Sequence, residues 1–503
     1  MSNTTRIAKN TLALYFRQIL IMLVSLYTVR VVLNTLGAED YGIYNVVAGV
    51  VVLFTFVNNA MATSVQRFLN FYLGKNDTEK TQNVYSASLV IHGIICLIFV
   101  VLAETAGLWF VNAKLNIPSE RSNAAFWCYQ AAVVTTLVNI IRVPYNAVII
   151  AYEKMSFFAG LSIVEAVLKL AVVFLLKITS LDKLIFYSFL LAAVSFIILA
   201  IYKFYCNKNF DIANYRKNQD EGLGKELVSF SGWSLFGAVA NVANSQGTNI
   251  VLNIFTNVTV NAAMGIANQV NAAVYSFVSN FQTAFNPQLV KSYATGEKEE
   301  FNQLIFRTAK FSFLLLWIIV LPLSLNLKTV LSLWLKNVPD YSVGFVQLIL
   351  VYSLVDALNG PLWAAVQAQG KIRNYQIIVS ILIFLNLPLS IVAFVLGANA
   401  YSILIIRIGL GLVITCFRII YLKRNLGLDA RKFLLNVVLR CVLIAVLSFL
   451  LVRCCTFKFF GILYFFVSCG FSVLFCGLLS FFVGLAKNER NIVVSFIKAK
   501  IGK

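Results

Sequence analysis

This 503-residue chain has few histidines, few charged residues and no closely spaced cysteines of the CxxC type. It contains one histidine, His92, and nine cysteines scattered without a CxxC motif or a Cys/His cluster. A structural zinc or haem site therefore has almost no ligands to draw on, and no metal or other cofactor is expected. No DxD pair is present to hold a metal-bound sugar nucleotide.

Charged residues make up 12% of the chain, against about 25% in soluble domains. Hydrophobic residues make up 60%, and the mean hydropathy is +0.83. These values predict an all-α polytopic membrane protein. The apolar stretch that follows the N-terminal MSNTTRIAKN runs past Val32 without a cleavage pattern, so we expect the first helix to be retained.

The hydropathy pattern predicts fourteen transmembrane helices. They cover residues 10–33, 43–66, 84–110, 122–142, 156–176, 184–203, 227–254, 261–286, 304–326, 343–367, 375–397, 400–422, 433–452 and 459–485. The seventh and eighth are rich in Asn and Gln and are the least apolar. An even number of spans predicts that both termini lie on the same side of the membrane.

Orientation follows from the distribution of lysine and arginine in the short loops. With the N-terminus inside, the inner loops and tails hold 26 of the 41, whereas the outer loops hold eight. The termini are therefore predicted to be cytoplasmic. The same bias explains the formal net charge of +21, since basic residues meet an anionic inner leaflet, and no nucleic-acid partner is implied.

An internal duplication organises the chain. Pro144, Ala147, Ala151 and Lys154 match Pro361, Ala364, Ala368 and Lys371 at an offset of 217 residues. This offset places Asn139 opposite Asp356 and Arg142 opposite Asn359. Val31–Asn34 match Ile250–Asn253 at an offset of 219, and GKNDTEK from Gly74 resembles GEKEE from Gly296 at 222.

Because six spans is an even number, the two copies are predicted to be parallel lobes. The predicted domains are an N-lobe (residues 1–203), a cytoplasmic linker (204–226), a C-lobe (227–422), two additional helices (423–485) and a basic cytoplasmic tail (486–503).

Polar faces recur on several spans. The second span carries Asn45, Asn59, Thr63 and Gln66, and the seventh carries Asn241, Asn244, Gln246 and Asn249. The eighth carries Asn261, Asn268, Asn271, Tyr275, Gln282 and Asn286, and the tenth carries Tyr352, Asp356, Asn359, Trp363 and Gln367. Such faces avoid lipid, so they form either interhelical hydrogen bonds or the wall of a hydrated cavity. The recurrence of polar faces at matching places in both halves favours the cavity.

Charged residues inside spans are candidates for function, because an uncompensated charge at the helix centre costs about 2.5 to 3.5 kcal/mol. Arg17, Arg30, Lys169 and Arg407 are the cations that cannot easily reach an interface, whereas Lys310, Arg418 and Arg440 lie near enough to the inner surface to do so. Arg30 has an alternative, purely structural partner in Glu39 or Asp40. Glu165, four residues before Lys169, and Asp356 are the carboxylates expected to hold the cations apart.

The RVVLNTLGAEDYGIY run from Arg30 and the RVPYNAVIIAYEKM run from Arg142 resemble polysaccharide-export flippases (O-antigen, Wzx type) of the multidrug/oligosaccharidyl-lipid/polysaccharide superfamily. The resemblance covers essentially the whole chain. It implies a transporter, not an enzyme, that moves undecaprenyl-diphosphate-linked oligosaccharides across the bacterial inner membrane. It also implies that Arg17 and Arg30 line a cationic cavity, and that a glycan polymerase and export machinery are partners.

The binding site predicted on these grounds comprises Arg17, Arg30, Lys169, Arg407, Asn268 and Asn249. Glu165 and Asp356 serve as charge-balancing groups or as sites that couple transport to H+ or Na+. The first alternative is a cation-coupled multidrug exporter, but residues 10–33 contain no carboxylate and cations prevail in the spans. A membrane glycan polymerase is disfavoured because the longest outer loop, residues 327–342, is too short for a catalytic domain.

Overall fold

A computed structural model describes residues 3–52, 55–114, 117–216, 221–256, 258–335, 338–456, 461–485 and Arg490. Throughout these residues the secondary structure is helical, with no strand. The α-helices are α1 (Asn3–Val52), α2 (Thr55–Gly74), α3 (Thr78–Leu102), α4 (Leu108–Lys114), α5 (Ser122–Ala151), α6 (Met155–Leu175), α7 (Lys183–Asn209), α8 (Glu221–Phe255), α9 (Val258–Thr295), α10 (Lys298–Leu325), α11 (Leu327–Trp334), α12 (Ser342–Gln369), α13 (Arg373–Phe384), α14 (Asn386–Val395), α15 (Ser402–Leu426), α16 (Ala430–Phe433), α17 (Arg440–Thr456) and α18 (Gly461–Leu479).

The all-α membrane fold is confirmed. Each of the fourteen predicted spans is helical over most of the length that the structure describes, with turn residues at the ends of some spans and at Leu385. Ten helices of the described part are long and apolar enough to cross a membrane. The first predicted span lies within α1, the second begins in α1 and continues into α2, and the seventh and eighth lie within α8 and α9. Helices α8 and α9 are 35 and 38 residues long, but their polar faces lower their mean hydropathy.

The breaks between helices repeat in the two halves of the chain. Gly37 interrupts α1 with φ 85°, and the gap between α8 and α9 falls at the equivalent place, 219 residues later. Asn76 and Gly296 both adopt left-handed backbone, and the next residues, Asp77 and Glu297, are the N-caps of α3 and α10. The structural offset here is 220, so the predicted offset of 222 was wrong by two residues.

The chain divides into two compact units. One comprises Met1–Val239 and Val290–Gly296, and the other comprises Ala240–Leu289 and Glu297–Lys503. In the first, a core that includes Val47, Phe99 and Tyr129 joins α1, α3 and α5. The Tyr129 hydroxyl donates to the carbonyl of Ala103 at 2.7 Å, at the start of a π-helical segment between α3 and α4. Gly107 gives this ring its space, because a Cβ there would lie 2.2 Å from the hydroxyl oxygen.

In the second unit, the C-terminal helices pack on α10. Leu321, Val452 and Cys476 form a small core. The Trp317 indole donates to Ser448 Oγ, and the Asn326 amide donates to Ser468 Oγ, both at 2.8 Å. The two helices that stand outside the duplication are thus attached to the C-terminal unit by hydrogen bonds as well as by apolar packing. The predicted domain boundaries stay a prediction.

Candidate functional site: two cationic clusters within the helical bundle

The first cluster surrounds Glu165 of α6. Its Oε2 accepts a hydrogen bond from Arg142 Nη1 at 3.0 Å, and its Oε1 accepts one from Lys169 Nζ at 2.7 Å. Two cations therefore share one carboxylate. The Glu165–Lys169 pair follows from their spacing on one helix, as predicted.

Arg142 was not among the predicted site residues, because it was counted with an inner loop. The structure places it within α5, nine residues before that helix ends, with its guanidinium 5.8 Å from the Tyr202 ring of α7. The loop assignment was therefore wrong. The signal that could have found it is the repeat itself, which sets Arg142 opposite Asn359 in the polar stripe of the tenth span.

Arg17 of α1 contacts the same helix, α6, one to two turns before Glu165. Its guanidinium lies 4.8 Å from the centre of the Phe158 ring, and Nη1 is 3.5 Å from Ser162 Oγ. Ser162 is three residues before Glu165, so Arg17 contacts the helix whose carboxylate Arg142 and Lys169 share. Arg30 lies on α1, but its side chain is outside the described residues. Asp40, one of its two proposed partners, accepts hydrogen bonds from Arg121.

The second cluster lies in the other unit, on α9, α12 and α15. Asp356 Oδ2 accepts a hydrogen bond from the Tyr275 hydroxyl at 2.7 Å. One turn earlier on α12, the Tyr352 ring lies 4.3 Å from the guanidinium carbon of Arg407. Such contacts between a cation and an aromatic face are worth about 0.5 to 2 kcal/mol, more where water is excluded.

Arg418 completes this cluster. It was expected to extend to the inner interface, but its Nη1 donates to the backbone carbonyl of Asn359 at 3.1 Å and its guanidinium lies 5.9 Å from the Tyr375 ring. Asn359 in turn donates to Thr415 Oγ1 at 2.9 Å. Arg418 therefore belongs inside the helical bundle. The internal repeat does not indicate Arg418, because the repeat places Asn359 of α12, and not Arg418 of α15, opposite Arg142 of α5.

Part of the polar face of α9 is occupied by hydrogen bonds between helices. Asn271 binds Ser353, Tyr275 binds Asp356, and the Gln282 amide donates to Ser312 Oγ and to the carbonyl of Ala357, each at 3.1 Å. Gly360 allows the last contact, since a Cβ there would meet the Gln282 side chain at 2.2 Å. Asn268 and Asn249 are half-buried on α9 and α8. Their role in a hydrated wall stays a prediction.

Comparison with known proteins identifies the family. The model of a family described as polysaccharide biosynthesis protein matches residues 7–294, and the MatE model matches residues 248–392. None of the curated proteins matches the sequence.

Solved transporter structures share the fold. A MATE transporter in complex with MaD3S has a TM-score of 0.71 at 13% identity, over 84% of this chain and 97% of its own. The outward-facing conformation of a multidrug resistance MATE family transporter of the MOP superfamily has a TM-score of 0.72 at 12% identity, over 85% and 96%. A MOP superfamily transporter from Pyrococcus furiosus, described as having a binding pocket of reverse polarity, has a TM-score of 0.69 at 12% identity, over 83% and 96%. The chain belongs to the polysaccharide biosynthesis protein family and is a multi-pass membrane transporter of the MOP superfamily.

Proposed function

We propose that this transporter moves undecaprenyl-diphosphate-linked oligosaccharide units from the inner to the outer leaflet of the bacterial inner membrane, with both termini in the cytoplasm. The observation that carries the proposal is the surplus of positive charge inside the bundle. Arg142 and Lys169 share the single carboxylate Glu165 of α6, and Arg17 contacts Phe158 and Ser162 of the same helix. In the other unit Arg407 and Arg418 outnumber Asp356.

A surplus cation in a membrane protein is stabilised when an anion joins it. A diphosphate offers several oxygens to guanidinium groups, which bind them in pairs at short distances. Glu165 keeps two of the cations paired while no anion is bound. When a diphosphate arrives, Arg142 or Lys169 can exchange the carboxylate for phosphate oxygens without passing through an unpaired state. Because each cation exchanges one anionic partner for another, the number of charge contacts stays the same and binding remains reversible, as transport requires.

The half-buried amides and hydroxyls of α8, α9 and α12 suit the other part of this cargo. Sugars present hydroxyl groups that both donate and accept hydrogen bonds, and Asn and Gln side chains do the same. We propose that Asn249 and Asn268 contact the glycan. Alternating access by two lobes supplies the transport step.

The second candidate is multidrug export, which the MATE-like fold supports. Cationic drugs need carboxylates that outnumber cations in the binding site, and the two clusters have the opposite balance. In the described part of the chain the arrangement therefore favours an anionic cargo over a cationic one.

The decisive experiment measures translocation in proteoliposomes. Purified protein is reconstituted with a fluorescent undecaprenyl-diphosphate oligosaccharide, and the fraction that reaches the outer leaflet is measured with an impermeant quencher. We expect Arg17→Gln and Arg142→Gln to abolish translocation and Arg17→Lys to retain part of it. Arg424→Gln, at an exposed position of α15, is the matched control. Efflux of ethidium by the same proteoliposomes, with no translocation of the glycolipid, would instead identify a drug exporter.

A further inference from the structure

A lysine near the end of α9 contacts a buried carboxylate at the end of α5. Lys291 Nζ lies 3.0 Å from Glu153 Oε1 and donates to the carbonyl of Ala151 at 2.9 Å. The Glu153 side chain is only 2% exposed. A carboxylate this deeply buried is retained only when a cation and hydrogen bonds compensate its lost hydration.

The backbone conformation at position 153 favours glycine, so the presence of a glutamate there needs a reason in its side chain. Its φ is 58°, in the left-handed region that favours glycine. The equivalent position of the second half, 217 residues later, is Gly370, with φ 86°. The turn therefore needs a left-handed residue in both halves, and the first half uses a strained glutamate where the second uses glycine. Lys291 supplies a cation that compensates the burial of this carboxylate.

The helices around this ion pair are in close contact. A Cβ on Gly74, at the end of α2, would lie 2.9 Å from both the Cβ of Ala294 and the Cα of Lys291. The Phe71 and Tyr293 rings are 6.4 Å apart. Glycine at position 74 thus lets the backbones of α2 and α9 approach to a distance that any side chain would prevent.

The start of α8 lies on α2 as well. Ser64 Oγ donates to the carbonyl of Leu227 at 3.3 Å, and the Phe68 ring meets the Phe230 ring at 5.8 Å. The guanidinium of Arg67 lies 5.6 Å from the Phe230 ring. Both the first turns of α8 and the last turns of α9 are therefore held against α2 and the α5–α6 turn.

Most of α9, residues 258–289, belongs to one compact unit, whereas its last residues, Val290–Gly296, belong to the other. We propose that the Glu153–Lys291 pair is a releasable lock that closes the cytoplasmic side of the transporter, and that cargo enters only after this pair separates. The inference rests on the proposed transport function and orientation. An ion pair suits such a contact, because both charges regain hydration when they separate, so opening costs less than exposing an apolar surface of similar size.

The test uses a cysteine as a reporter of opening. Ser64 is fully buried, so Ser64→Cys in a background without native cysteines reacts with an impermeant maleimide only when α8 leaves α2. We expect slow labelling in the parent protein. Glu153→Gln and Lys291→Met should each accelerate labelling from the cytoplasmic side about tenfold, which corresponds to about 1.4 kcal/mol. Glu79→Gln, an exposed carboxylate at the start of α3, should leave the rate unchanged.

A charge exchange separates loss of the lock from general unfolding. Glu153→Lys/Lys291→Glu restores an ion pair with the two charges exchanged, so it should return labelling to the slow rate, whereas each single change should accelerate labelling. Unchanged labelling in both single variants, or fast labelling of the exchanged pair at unaltered thermal stability, would overturn the proposal. Labelling needs no cargo, so it distinguishes failure of the lock from failure of the proposed substrate.

Discussion

Arg142 and Glu165, from two different helices, form an ion pair with an N–O distance of 3.0 Å, and both side chains are about three-quarters buried, with exposed fractions of 25% and 21%. The pair ties α5 to α6 and also sets the charge of the proposed binding site. Structure and cargo binding therefore depend on the same two side chains, and the two roles can be separated by measuring stability and translocation on the same variants.

The first prediction is a double-mutant cycle. Arg142→Gln should lower the free energy of unfolding by about 1.5 to 3 kcal/mol, because a charged hydrogen bond is lost. Glu165→Gln, alone or added to Arg142→Gln, should lower the stability further, because Lys169 then also loses its carboxylate, and translocation should stay absent. Thermal stability in detergent and glycolipid translocation are the two measurements. Recovery of translocation in the double variant would show that Arg142 is needed only to pair Glu165.

The second prediction concerns Arg121, which joins two carboxylates outside the predicted spans. It lies 2.6 Å from Asp40 and 2.6 Å from Asp182, the N-cap of α7. Partial burial acts to raise the pKa of Asp182, but the hydrogen bond from Arg121 and those from the backbone of Ile185 and Leu184 outweigh it, so the pKa lies below its ordinary value of 3.8.

A carboxylate with a lowered pKa stabilises the folded state above its unfolded pKa, and this stabilisation is lost as pH falls through the folded value. We expect the melting temperature to fall as pH drops below about 4. Asp182→Asn keeps the helix cap but removes the charge, so its melting temperature should change less over this range. Asp340→Asn, at an exposed position, is the control. Parallel curves for Asp182→Asn and the parent protein would contradict the assignment.

The third prediction tests orientation. In a background without native cysteines, cysteines at Glu120 and Asp340 should react with an impermeant reagent added outside cells, and those at Glu79 and Lys423 should not. All four positions are exposed. Asp40 is avoided, because a cysteine there would remove a partner of Arg121. The inverse labelling pattern would place the termini outside and reverse the direction of the proposed transport.

The sequence predicts the fold in detail but only part of the site. Hydropathy locates the spans because each must be apolar over its own length, and four-residue spacing predicts the Glu165–Lys169 pair because both residues lie on one helix. The contacts of Arg142 with Glu165, Arg418 with Asn359 and Lys291 with Glu153 span 23, 59 and 138 residues. No local pattern encodes such pairs, since they depend on how separate helices are packed.

The last prediction concerns Asp356 and Tyr275, which are 81 residues apart and share a hydrogen bond of 2.7 Å. Asp356→Asn removes the negative charge but leaves an amide oxygen that can accept from Tyr275. Tyr275→Phe keeps the charge but removes the donor. Because the carboxylate is proposed to balance Arg407 and Arg418 or to bind a coupling cation, we expect Asp356→Asn to fold normally and to lose translocation.

Tyr275→Phe should lower thermal stability by about 1 kcal/mol and retain part of the translocation. Ser276→Ala, one residue later on α9, is the control, because its hydroxyl donates to the carbonyl of Ala273 in the same helix. If Asp356→Asn transports as well as the parent protein, only the hydrogen bond is required. The surplus of cations in the second cluster would then need no carboxylate to balance it, and the coupling role would have to be sought at Glu165.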